Sequence, residues 1–300
     1  MNILKLMKYK LEFFDFITYE KKYSINTINN YKRIIDEYLL FLNKENIDII
    51  DADNKVIRNY LRELYNKNYA KKTQCLYISG LRSFYRYLLK KRIIKTSPML
   101  LIKNPKLDKS TPKFLYYNEL EMVFNAIDKT TLLGIRDNLI LELLYSTGVR
   151  VSELVNIHLK DINYYDLSIR IIGKGNKERI VLYGEALVDA LNLYLNLSRN
   201  KLIKTNTDIL LLNKNGTPLT DRGVRLIIDN IVLKTSLKQK ISPHTIRHTF
   251  ATHLLKDGAD LTTVQELLGH TSLSATQVYT HVTNEQLRKV YFDCHPRAKE

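Results

Sequence analysis

Leu167 to Leu182 reads LSIRIIGKGNKERIVL, two runs rich in β-branched residues on either side of Gly173-Lys174-Gly175-Asn176. Such runs flanking a glycine-rich turn predict an antiparallel hairpin. The segments around it have helical spacing. Upstream, apolar steps of three and four predict helices from about Asn118 to Ile127, Ile135 to Ser146 and Val151 to Ile157. Downstream they predict helices near 184–197, 221–233, 245–256, 261–267, 274–279 and 284–291. The fold class is therefore mainly α with a small antiparallel β-sheet.

The first third is helical throughout. Ile28, Tyr31, Ile34, Ile35, Tyr38, Leu39 and Leu42 mark a helix from about Thr27 to Lys44, with Thr27 placed as its N-cap. Shorter copies run near 9–20, 55–66 and 70–92, and four helices close a small bundle. Between Ser97 and Lys113 lie three of the chain's six prolines and no period survives, which predicts a linker. The expected division is a helical domain over 1–96, a linker over 97–113 and a second, α-rich domain over 114–300.

With 300 residues the chain has ample material for two cores. No apolar run is long enough for a membrane helix, and the Lys-interrupted start lacks the apolar stretch of a secretory signal. Two cysteines, Cys75 and Cys294, are too few for a disulfide framework and fit a reducing cytoplasm. The net charge of +16 points to a polyanionic partner. Residues 1–111 hold 23 Lys plus Arg against 11 Asp plus Glu, and the rest of the chain holds 24 against 20, so most of the excess lies in the first third. There Arg82, Arg86 and Lys90 step by four along one helix, a stripe able to follow a phosphate backbone or to serve as a solvated face.

Several residues carry candidate chemistry. In TGVRVSEL, Arg150 sits where one helix stops and another starts, a place for a guanidinium fork that grips phosphate oxygens. Glu153, three residues on, either holds that Arg in place or only stabilises the helix. Lys174 is presented at the hairpin tip, and Lys177 and Arg179 nearby are candidate DNA-backbone contacts. In HTIRH, His244 and Arg247 lie one turn apart, so an acid or base and a permanent cation can converge on one anion. His244 and His248 have zinc-like spacing but lack the glutamate of the HExxH motif. LLGH ends a helix at Gly269 with His270 following, and Tyr279 comes nine residues later. Two Arg, a Lys, two His and a Tyr, with no carboxylate pair to hold Mg²⁺, suit metal-free attack on a phosphodiester.

The TGVRVSEL run, GKGNKER, HTIRHTFATHLL, LLGH and Tyr279, in that order, resemble the tyrosine recombinase (integrase) family over residues 112–300. The basic helical first third is similar to the family's core-binding domain. Details such as SPHTIRHTFATHLL and the closing HPRA look like the Xer branch, whose members resolve chromosome dimers.

The resemblance implies that Tyr279 is the nucleophile and forms a 3′-phosphotyrosyl link. It implies that Arg150, Arg247 and His270 stabilise the transition state, that Lys174 protonates the leaving 5′-oxygen and that His244 accepts the tyrosine proton. Glu153 is a support. No metal, ATP or other cofactor is called for. The implied partners are double-stranded DNA with a specific recombination site and, on paired sites, a homo- or hetero-tetramer of recombinase protomers in a clamp round DNA; a cell-division accessory factor stays open. The last helix is expected to be poorly buried on its own chain and passed to a neighbour. Three alternatives remain: an integrase of a phage or mobile element, a catalytically silent DNA-binding protein of the same fold, and a metal-dependent nuclease using the histidine cluster.

Overall fold

The computed structural model describes residues 3–107, 113–173, 177–269 and 284–298, and the chain divides into two compact units, Met1–Ser110 and Thr111–Glu300. The first unit is built from α1 (Ile3–Asp15), α2 (Ile25–Lys44), α3 (Asn54–Asn66) and α4 (Lys71–Lys90). Helix α2 begins before Thr27 because Ser24 is its N-cap: Ser24 is extended and its hydroxyl accepts the Thr27 N–H at 3.4 Å. Asp53 caps α3 in the same way, accepting from Lys55 and Val56 at 2.9 and 3.0 Å.

Tyrosine dominates this unit's core. Tyr38, Tyr60, Tyr77 and Tyr85 are buried beside Phe13 and Phe84. A buried phenol needs a hydrogen-bond partner. Tyr38 and Tyr85 share a hydroxyl–hydroxyl bond of 2.6 Å, and Tyr77 donates to Glu37 at 2.5 Å. The segment after Ser97 is partly fixed: Met99 and Ile102 are buried in this core, and Arg82 donates to the Ile102 carbonyl at 2.9 Å. Apolar anchors in an aperiodic stretch leave no periodic trace.

The second unit contains α5 (Tyr117–Asn125), α6 (Leu132–Thr147) and the short α7 (Val151–Leu154). A sheet follows, of β1 (Ile162–Asn163), β2 (Ser168–Ile172) and β3 (Glu178–Leu182), in that spatial order and antiparallel throughout. The hairpin is present with Ile171 opposite Arg179; its tip, residues 174–176, lies outside the described residues. Strand β1 is an addition, too short to show alternation. Then come α8 (Glu185–Leu193), which runs through a π-helical turn into α9 (Asn200–Leu202), then α10 (Asp221–Val232), α11 (Pro243–Lys256), α12 (Leu261–Leu267) and α13 (Asn284–Cys294). The helix expected near 274–279 lies outside the described residues.

Helix α6 is the centre of this unit. Ile135, Leu139, Leu141, Leu143, Leu144 and Tyr145 cover its whole circumference and all are buried, as expected of a helix with no polar face. It stops at Gly148, whose φ of +58° is the left-handed C-cap geometry that glycine supplies without strain. A Cβ there would lie 2.5 Å from Phe250, so α11 also needs the space.

The expectation that the last helix is poorly buried on its own chain holds in part: Leu287 and Val290 are half-buried, whereas Tyr291 packs fully against the unit. Tyr291 of α13 is buried and donates to the Ser146 carbonyl at 3.0 Å. Beyond the helix, His295 stacks on Tyr291, Arg297 pairs with Glu142 at 2.8 Å and Ala298 is buried. This segment is short and charged, and its burial comes from partners on α6 far away in sequence.

Candidate active site

The described candidate residues come from the start of α7, from α11 and from strand β3. Arg150 is the N-cap of α7, two residues after Gly148 ends α6. Its backbone N–H donates to Glu153 Oε2 at 2.9 Å, and its Nη1 donates to Glu153 Oε1 at 2.9 Å. The Arg150 side chain stays 45% exposed while that of Glu153 is 4% exposed, so the carboxylate is interior and the guanidinium reaches the surface.

Arg247 comes from α11, whose start is set by Ser242 as N-cap and Pro243 in the first turn. It is buried and donates to two backbone carbonyls, that of Gly148 and, at 2.7 Å, that of Leu268. One side chain thus ties the turn before Arg150 to the turn before His270. Burial pushes the Arg247 pKa down to about 10, and the nearby charge of Arg150 adds to this. It remains a cation at neutral pH.

His244 is one turn earlier on α11 and exposed. His248 is half-buried, and burial followed by the neighbouring His244 lowers its pKa. Among the described residues no group of three or more His, Cys, Asp or Glu is placed to hold a metal ion. His253 is structural: its ring nitrogens bond the Tyr145 hydroxyl at 2.8 Å and the Leu115 carbonyl at 2.9 Å.

Arg179 brings the hairpin into the same cluster. Its Nη1 and Nη2 donate to Glu153 Oε1 and Oε2 at 2.9 and 2.7 Å. Burial raises the Glu153 pKa, but the bonds from Arg179 and from the Arg150 backbone outweigh it and hold the carboxyl at about 2. Lys177, near the hairpin tip, is exposed, and its carbonyl accepts the Gly173 N–H at 2.8 Å. Lys174, His270 and Tyr279 lie outside the described residues, although the neighbours Gly173 and Gly269 are placed.

In the first unit the basic stripe is not uniform. Arg82 is turned to the Ile102 carbonyl, Lys90 pairs with Glu20 at 3.6 Å, and Arg86 is exposed. The double use of Glu153 by two arginines was not legible beforehand, since nothing local to Arg179 points to a carboxylate 26 residues back.

Arg150 and Arg247 thus lie near one another at helix ends, on an α-rich unit with a three-stranded sheet. Residues 113–286 match the phage integrase family, and residues 11–92 match the phage integrase N-terminal SAM-like domain. The chain belongs to this family of tyrosine recombinases, enzymes that break and rejoin DNA strands at specific sites. It is 46% identical to tyrosine recombinase XerC of Anoxybacillus flavithermus, over 95% of this chain and 97% of that one. With XerC of Bacillus subtilis it shares 44% identity, over 95% of each. Among solved structures it is similar to the XerH site-specific recombinase bound to its difH substrate, at 26% identity and a TM-score of 0.66, covering 88% of this chain and 78% of that one. No helix among the described residues is long and apolar enough to cross a membrane.

Proposed function

We propose that this recombinase acts in the cytoplasm to resolve chromosome dimers, joining two copies of one specific site in a tetramer of protomers, and that Arg150, Lys174, His244, Arg247, His270 and Tyr279 carry the reaction. The observation that carries this reading is the bond from Arg247 to the Gly148 carbonyl, two residues before Arg150, in a chain alike over nearly its whole length to XerC proteins.

Tyr279 Oη attacks the scissile phosphorus and the P–O5′ bond breaks. His244 takes the phenol proton, and Lys174 gives one to the departing 5′-oxygen. Phosphorus keeps the bond energy as a 3′-phosphotyrosine, so a 5′-hydroxyl from the partner strand reverses the step without ATP. Arg150, Arg247 and His270 bear on the non-bridging oxygens, where charge builds in the transition state. Cations held in place in this way supply what a metal ion supplies elsewhere.

The test uses a duplex selected from a random-sequence pool by binding to the wild-type protein, nicked near its centre and incubated in EDTA. A band resistant to SDS forms with wild type and is absent with Tyr279→Phe. Metal-dependent breaks without an adduct would overturn the reaction. Adduct at a site absent from the host chromosome's replication-terminus region would overturn the chromosomal role.

A further inference from the structure

Arg179 looks like a DNA contact in sequence, being a cation on the β3 strand near a basic hairpin tip. Its surroundings contradict that use. The side chain is only 17% exposed, both terminal nitrogens are spent on Glu153, and Nε is buried with no acceptor among the described residues. With the side chain this little exposed, the edge of the guanidinium that pairs with the buried Glu153 carboxylate is turned to the interior.

The Glu153 carboxylate has about four lone-pair positions. Arg179 occupies two, the Arg150 backbone N–H a third and Arg150 Nη1 the fourth. Arg150 is thereby held through a single side-chain bond, and its other donors are not used by Glu153. If Arg179 were gone, two lone pairs would open beside Arg150. A guanidinium next to a carboxylate with free lone pairs closes into a two-pronged pair. Arg150 would then turn its fork inward.

The stem of Arg179 has a second contact. A Cβ on Gly269 would lie 2.7 Å from Arg179 Cδ, and a Cβ on Gly173 would lie 3.6 Å from its Nη1. Gly269 has φ +65°, so this turn is shaped for glycine and packs directly on the arginine. These two glycines immediately precede His270 and Lys174 in the chain.

We propose that Arg179 is a positioning residue for strand cleavage: by saturating Glu153 it keeps the Arg150 guanidinium turned toward the scissile phosphate, and it makes no contact with DNA itself. This rests on the assignment of Arg150 to the phosphate given above. The acid–base partners of the arrangement are fixed ions, so the effect is one of geometry.

The experiment compares wild type, Arg179→Gln and Arg179→Lys on the selected nicked duplex, with Tyr279→Phe as the blank. Both variants bind with unchanged affinity and an unchanged salt slope, whereas loss of a true phosphate contact lowers the slope by about 0.9. Adduct formation falls about 100-fold in Arg179→Gln, the scale of a small misplacement at the reacting group. Arg179→Lys keeps charge and stem but cannot fill both lone pairs, and it falls about tenfold. The same duplex is then made with a methylphosphonate at the scissile position, which removes one non-bridging oxygen and its charge. There the deficit of Arg179→Gln shrinks at least tenfold, because Arg150 has less charge to neutralise. A weaker, less salt-sensitive complex would overturn the proposal in favour of a DNA contact. An equal deficit on both substrates would overturn it in favour of general damage to the fold. If wild type makes no adduct, the assignment of the reaction falls, and the proposal with it.

Discussion

Arg247 donates to the carbonyl of Gly148, the residue that ends α6 two positions before Arg150. The same guanidinium holds the Leu268 carbonyl, so the candidate site is tied together through backbone as well as through side-chain charge. Arginine suits this because its fork reaches two acceptors at once and stays charged when desolvated.

Arg247→Lys tests the double tether. An ammonium cannot span both carbonyls, and one buried carbonyl loses its donor. The variant should lose about 10²–10³-fold in adduct formation and roughly 1–3 kcal/mol in stability, read from gel assays and denaturant melts. A lysine enzyme with the wild-type rate would show that the tether has no part in catalysis.

Glu153 gives a pH dependence with a definite sign. Its folded pKa of about 2 lies below the ordinary 4.5, so the folded state binds fewer protons than the unfolded one between these values. The stabilisation is complete above pH 4.5 and is lost as pH falls toward 2, a span worth roughly 3 kcal/mol. Glu153→Gln should therefore be less stable than wild type at pH 7, with the gap narrowing below pH 4.5. A gap that stays constant on acidification would refute the ion-pair account.

Most helices were readable because their apolar residues keep a helical period. The hairpin of β2 and β3 was readable from its change of period, while β1 has only two residues and shows none. What sequence could not give was contact between distant segments. Glu153 and Arg179 meet across the sheet edge, Met99 and Ile102 find a core from within an aperiodic stretch, and His295 finds Tyr145. The motifs named Arg150 and Arg247 as candidates for one site, and they carried no information on how backbone carbonyls and a second arginine hold them.

The basic stripe on α4 separates into distinct roles. Arg86 is exposed, so Arg86→Ala should leave folding intact and lower the salt slope of DNA binding by about one. Arg82 holds the Ile102 carbonyl, so Arg82→Ala should cost roughly 1–3 kcal/mol in stability because that carbonyl loses its donor. Fluorescence anisotropy across a salt series and thermal melts read the two effects. If Arg86→Ala leaves the slope unchanged, α4 does not present this face to DNA.

The tail after α13 is seated in a place made for it. Gly184 precedes α8, and a Cβ there would lie 2.4 Å from Ala298 Cα and 2.5 Å from the Arg297 carbonyl, backbone atoms that cannot swing aside. Nearby, Arg297 lies over the Phe124 ring at 4.1 Å, and His295 accepts the Arg297 N–H on Nδ1 at 3.1 Å, which leaves Nε2 to donate to the Tyr145 carbonyl at 3.2 Å. Gly184→Ala should therefore expel the tail, at a cost of roughly 1–3 kcal/mol, and make the end of the chain the first site of limited proteolysis. Acid should act on the same place. Burial holds the His295 pKa down at about 3, so the unfolded state takes up protons at a higher pH than the folded one, and the stabilisation present above pH 6.5 is lost as pH falls below it. Proteolysis of wild type at pH 5 should accordingly resemble that of Gly184→Ala at pH 7.5. A Gly184→Ala protein as stable and as protected as wild type at both pH values would mean that the tail has room to shift, and that its burial is not what fixes α13 against α6.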